Sequence, residues 1–118
     1  MCAQYLLSTT VAAQPTELVA EQLQTCAFTE PPAIVDGSYA SKQVMEQMGK
    51  DVRNYATAMQ TSLVCLDTAA TGAATEATVL IHQIYNNGVD QLNYIVDQYN
   101  EQVDFYERER DNTRIRNL

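Results

Sequence analysis

Apolar and small side chains recur at alternating steps of three and four residues along two long stretches of this chain. The first stretch carries them at Met45, Met48, Val52, Tyr55, Met59, Ser62 and Leu66. The second carries them at Tyr85, Val89, Leu92, Val96, Tyr99, Val103 and Tyr106, and Ile81 and Ile95 widen this second stripe on one flank. This heptad spacing is typical of helices that pack lengthwise against a partner, and the two-residue period of a strand does not produce it.

Capping and breaking residues set the ends of the two helices. Ser41 is a good N-cap residue, and Thr71-Gly72 interrupts the first stripe, so a helix is predicted from residue 41 to about residue 70. The second helix is predicted from about residue 75 to about residue 111, a length of about 55 Å. Because a short link between two helices favours antiparallel neighbours, we predict an all-α fold built on a long helical hairpin.

The first 40 residues have a different pattern. Pro15-Thr16-Glu17 followed by apolar positions predicts a short N-terminal helix that ends near Cys26. Pro31-Pro32 excludes helix and Asp36-Gly37 signals a turn, so residues 27–40 are predicted to be an extended connector strapped along the hairpin. The chain is thus expected to form a single domain over residues 1–118, with 1–26, 27–40 and 41–118 as its three parts.

The predicted helices are unequal in length. About 30 residues cover only about 45 Å of a 55 Å partner, which leaves the stripe around Val103 and Tyr106 short of cover. Ile84, Tyr94 and Phe105 lie away from the stripe on the same helix. Either the N-terminal segment and the connector cover these side chains, or they form a protein interface, in which aromatic residues are enriched.

Charge excludes some classes of partner. The 118 residues carry a formal net charge of -8, which opposes the electrostatic attraction that drives nucleic-acid binding. No apolar run approaches the roughly 20 residues that a membrane span needs. We therefore expect neither nucleic acid nor a membrane span, and take a protein partner or self-association as the expected interaction.

The inventory of reactive side chains predicts no enzyme. The only histidine, His82, lies one heptad before Val89 on the apolar stripe of the second helix. The sequence therefore offers no recognisable pairing of a nucleophile with a histidine that acts as its general base. Asp97, Glu101 and Asp104 share a helix face, but a solvated acidic face is the simpler interpretation because calcium sites usually add loop carbonyls. No catalytic residue, metal site or cofactor is predicted.

Three cysteines leave several possibilities open. The helix from Ser41 to Cys65 rises about 36 Å, and the connector can span at most about 46–50 Å, so a bond between Cys26 and Cys65 is compatible with these lengths. A buried free thiol at Cys65 is the alternative. Cys2 would remain unpaired, as a free thiol, an intermolecular bridge or a lipid-modified residue. Residues 1–13 are either the remnant of a trimmed signal peptide or an ordered segment.

A set of structural motifs resembles a known family. The matching positions are Cys26, Pro31-Pro32, Asp36-Gly37, Ala40-Ser41, Met45, Val52, Tyr55 and Cys65-Leu66. They look like those of a family of small uncharacterised helical proteins exported by proteobacteria, over roughly residues 26–106. The resemblance implies export and a Cys26–Cys65 disulfide, which would place the protein in the periplasm or outside the cell. It implies no activity, and the extra stretch before Cys26 departs from the family pattern.

Two functional hypotheses follow. The first is a structural or assembly protein of the cell envelope or cell exterior that associates with itself into an oligomer or filament. The second is an exported binding module, or a holdase-like protein, with an apolar cleft for a client or small ligand.

Overall fold

The computed structural model describes residues 24–116, and the side chains of residues 24–114. Two helices, α1 (Lys42–Thr71) and α2 (Thr75–Arg116), pack against each other, and the described range contains no strand. The start of α1 packs near the end of α2, which makes the pair antiparallel. The predicted all-α class and helical hairpin are confirmed. Cys2, residues 1–13 and nearly all of the predicted N-terminal helix lie outside the described residues.

The ends of α1 follow from local capping. The Ser41 hydroxyl oxygen accepts a hydrogen bond of 3.2 Å from the backbone N–H of Val44. At the other end the N–H of Gly72 donates to the carbonyl of Ala70, which satisfies one of the last carbonyls of the helix. The prediction of a helix from residue 41 to about residue 70 is confirmed to within one residue.

Helix α2 is longer than predicted. It begins at Thr75, as expected, but continues to Arg116, five residues beyond the predicted end at Asp111. The prediction stopped where the apolar stripe ended. No proline or glycine follows Gly88, and arginines in the last turns are favoured by the helix dipole, so the backbone continues without an apolar stripe.

The stripe of α1 forms the core of the hairpin. All seven of its predicted positions are buried, and Met59 and Leu66 are fully so. Met45, Met48, Val52, Tyr55 and Met59 form one cluster with Ile95, while Leu66 and Ala70 form a second cluster with Cys26 and Ile81.

Helix α2 is rotated about its axis relative to the prediction. All seven stripe positions on α2 are only half-buried. The buried positions lie on the flank of the stripe, at Ala77, Ile81, Gly88 and Ile95. Side chains from residues 26–40 add to the core on this flank, and a Cβ at Gly88 would collide with the ring of Phe28. Because Phe28 and Leu63 approach α2 closely at Gly88, the flank of the stripe faces the core in place of its centre.

Gly49 is not a stripe position, but it is buried, and a Cβ there would lie 2.8 Å from the hydroxyl oxygen of Tyr99. His82, one heptad before Val89 on the stripe, is exposed on α2.

Residues 27–40 contain no helix or strand and contact both helices. A disulfide joins Cys26 to Cys65, with the two Cα atoms 5.5 Å apart. The Ser62 hydroxyl donates to the Ala27 carbonyl at 2.8 Å. At the other end of the segment, the N–H of Gly37 donates to Oε1 of Gln102 at 2.8 Å.

Candidate interaction surface

A groove on the hairpin is lined by side chains of the two helices alone. It has a volume of about 390 Å³. Its residues are Lys42, Met45, Glu46, Gly49, Lys50 and Arg53 of α1, with Tyr99, Val103, Tyr106, Glu107 and Arg110 of α2. We refer to it as the basic groove.

The basic groove collects positive charge in an acidic chain. Within residues 24–107, every lysine and arginine lies in it: Lys42, Lys50 and Arg53. Arg110 adds a fourth cation, and Glu46 and Glu107 are its two acids, so its formal charge is +2 (four cations minus two acids). The whole chain, in contrast, carries -8. A local field of this sign attracts anionic groups.

The four cations differ in their partners. Lys42 forms an ion pair of 2.9 Å with Glu46, and this hydrogen bond raises the pKa of Lys42 and lowers the pKa of Glu46. The guanidinium of Arg110 lies over the ring of Tyr106, 5.3 Å from its centroid. Lys50 and Arg53 form no ion pair within the part of the chain that the structure describes. These two side chains are therefore available to an external anion.

Glycine and tyrosine shape the floor of the groove. The hydroxyl of Tyr99 and the guanidinium of Arg53 both lie close to Gly49, at 2.8 and 3.3 Å from the position a Cβ would occupy. A larger residue at position 49 would displace them. Met45 is buried beneath the groove, while Val103 and Tyr106 are half-buried on its α2 wall.

A second surface lies on the outer side of α2. Asp90, Asp97, Glu101 and Asp104 are all exposed, and their spacings of seven, four and three residues place them on one helix face. We refer to these four residues as the acidic ridge. Tyr94, which is 62% exposed, lies between the first two acids. Among the described residues no group of His, Cys, Asp or Glu has the arrangement of a metal site.

The structure distributes the residues predicted to interact over three places. Val103 and Tyr106 line the basic groove and also pack against the Met45 cluster. Tyr94 and Phe105 line a separate cleft of about 450 Å³ beside Ile34 and Val35, where the guanidinium of Arg108 lies 5.4 Å from the Phe105 centroid. Ile84 is half-buried and packs against the cluster of Leu66 and Ile81. The five residues do not form one patch.

The apolar patterns do not predict the basic groove. Its signal in the sequence is that the only lysines and arginines before residue 108 lie at positions 42, 50 and 53, a spacing that puts them within one broad face of α1. Their convergence with Arg110 requires the hairpin.

Comparison of the chain with known protein families, with curated proteins and with solved structures gives no match. The function is therefore inferred from the molecule's own surfaces. Within residues 24–116, no helix has both the length and the apolar character needed to cross a membrane.

Proposed function

We propose that this chain is a non-enzymatic structural or assembly protein of the cell envelope or cell exterior, and that it associates with copies of itself. The observation that carries the proposal is the unequal burial of the two stripes. All seven stripe positions of α1 are buried, whereas all seven of α2 are only partly buried. An apolar stripe that runs this far along a helix gains free energy when another surface covers it.

The end of α2 supports the same proposal. Residues 107–114 are all exposed, although Arg110 lies beside Lys42 of α1 and residues 109–114 lie beside residues 37–40. The outward side of this part of α2 is accessible to a second molecule. Tyr94 and Phe105, together with Val35, add apolar area on a neighbouring face.

The disulfide supports a location in the periplasm or outside the cell. Disulfides persist in oxidising compartments and are rare in the cytosol. The Cys26–Cys65 bond closes a loop with a sequence separation of 39 residues. The resemblance to exported proteobacterial proteins implies the same compartment and stays a prediction.

Sedimentation velocity of the oxidised full chain, from about 1 µM to about 1 mM, tests the proposal. This range corresponds to association free energies of about 8 to about 4 kcal/mol. We expect the mean mass to rise with concentration. Val89→Gln, which places a polar group on the partly buried stripe of α2, should weaken association at least tenfold. Val64→Gln is the matched control, because Val64 is 66% exposed and lies outside the stripe. A single monomeric species over the whole range would refute self-association.

A second candidate function rests on a different observation. The cleft of about 450 Å³ between residues 34–36 and α2 is lined by Ile34, Ile95 and Phe105 among others, and it suits an exported binding module or holdase-like protein. A chain that remains monomeric and suppresses aggregation of an unfolded client would favour this function over assembly. Phe105→Ser should reduce the suppression.

A further inference from the structure

We propose that the basic groove of one molecule receives the acidic ridge of a second copy. This inference rests on the proposed self-association and specifies one contact between the copies. Lys50 and Arg53 supply the unpaired cations, and Asp97 and Glu101 supply the central anions.

Charge complementarity is the first support. The groove carries a formal charge of +2, and the ridge carries four carboxylates with no cation between Asp90 and Asp104. At physiological ionic strength the Debye length is about 8 Å, so the distant like charges of two acidic molecules are screened. Contacts within a few ångströms between groove and ridge are screened much less, and they determine the preferred orientation.

The spacing of the charges is the second support. Along α1, Lys50 and Arg53 lie about 12 and 16.5 Å from Lys42 at the helical rise of about 1.5 Å per residue. Along α2, Asp97 and Glu101 lie about 10.5 and 16.5 Å from Asp90 at the same rise. Three acids therefore align with three cations to within about 1.5 Å when α2 of the second copy runs parallel to α1 of the first.

This orientation has a consequence for symmetry. Because α1 and α2 are antiparallel within one molecule, α2 of the second copy then runs antiparallel to α2 of the first. On α2 the acidic ridge lies on roughly the opposite face from the groove residues Tyr99 and Tyr106, so a pair of molecules makes one groove–ridge contact and its remaining groove and ridge let further copies add head to tail. Tyr94, exposed between Asp90 and Asp97, enters the contact with the ridge and supplies aromatic area.

A charge-swap experiment tests the interface. The groove variant is Lys50→Glu/Arg53→Glu, and the ridge variant is Asp97→Lys/Glu101→Lys. Each variant alone opposes like charges, so the dissociation constant of the contact between copies should rise at least tenfold relative to the wild-type chain. In an equimolar mixture the reversed groove meets the reversed ridge and the two native surfaces meet each other. We expect the mixture to recover the wild-type increase of mean mass with concentration by sedimentation velocity.

Controls separate the interface from net charge and from folding. Glu30→Lys/Asp67→Lys changes the net charge by the same amount as the ridge variant, at two exposed acids outside the ridge, and should leave the wild-type dissociation constant within about twofold. Far-UV circular dichroism of every variant should match the wild-type helical spectrum, since all substituted side chains are exposed.

The outcomes distinguish this inference from the proposed function. If the wild-type chain associates and both variants associate equally well, the interface is overturned while self-association stands. If only the groove variant loses association, the groove contacts a surface other than the ridge and the inference is also overturned. A wild-type chain that stays monomeric overturns the proposed function itself.

Discussion

Replacing Gly88 with alanine tests how closely Phe28 and α1 approach α2. In an exposed helix, Gly→Ala raises stability by about 1 kcal/mol, because alanine restricts the unfolded chain. Gly88 is buried, and a Cβ there would collide with the ring of Phe28 and lie 3.0 Å from Cδ2 of Leu63. Overpacking of this kind costs about 1–3 kcal/mol. The net change for Gly88→Ala is therefore expected to range from about zero to a loss of about 2 kcal/mol.

A double-mutant cycle with Phe28→Ala isolates the contact. The assay is urea unfolding of the oxidised chain, followed by the helical circular dichroism signal. Removing the Phe28 ring should relieve the overlap, so Gly88→Ala becomes favourable in the Phe28→Ala background. We expect a coupling free energy of about 0.5–3 kcal/mol between the two positions, as for other side chains in direct contact.

Gly72→Ala provides the matched control. Nothing lies within 4 Å of a Cβ at Gly72, and its φ of -101° is open to alanine. This change should be neutral or stabilise the fold by up to about 1 kcal/mol. If Gly88→Ala stabilises the chain as much as Gly72→Ala does, and shows no coupling to Phe28, then Phe28 does not pack over α2 and the explanation for the rotation of α2 is wrong.

Three further predictions concern the core and the disulfide. Leu66→Ala should destabilise the fold by about 2–5 kcal/mol in urea unfolding because Leu66 is fully buried, whereas Val64→Ala should stay within about 0.5 kcal/mol. Tyr55→Phe should stabilise the fold by about 1 kcal/mol, because the buried Tyr55 hydroxyl has no hydrogen-bond partner within the described chain. Burial raises the pKa of the Tyr55 hydroxyl, because the folded chain disfavours its charged form. The free energy of unfolding should therefore fall as the pH rises above the ordinary pKa of 10.0, and it should fall less for Tyr55→Phe. Reduction of the Cys26–Cys65 bond should cost about 3–4 kcal/mol for a loop of this length, measured as the shift of the urea midpoint, and an unchanged midpoint would contradict a role for the bond in stability.

The sequence by itself determined the two helices and the core face of α1. Helix formation depends on hydrogen bonds between residues four apart and on caps such as Ser41, which are local features. The α1 stripe was identified correctly because large apolar side chains at heptad spacing leave one face to bury. The end of α2 was placed too early, since the apolar pattern stops before the backbone does.

Only the tertiary structure decided the rotation of α2 and the composition of the basic groove. The rotation depends on a glycine at position 88 meeting Phe28, two residues 60 positions apart in the chain. The groove depends on Arg110 and Tyr99 meeting Lys50 and Arg53 across the hairpin. Periodicity along one helix gives the width of an apolar stripe. The direction from which a partner approaches that stripe is set by close contacts between residues far apart in the sequence. Those contacts exist only after the chain has packed.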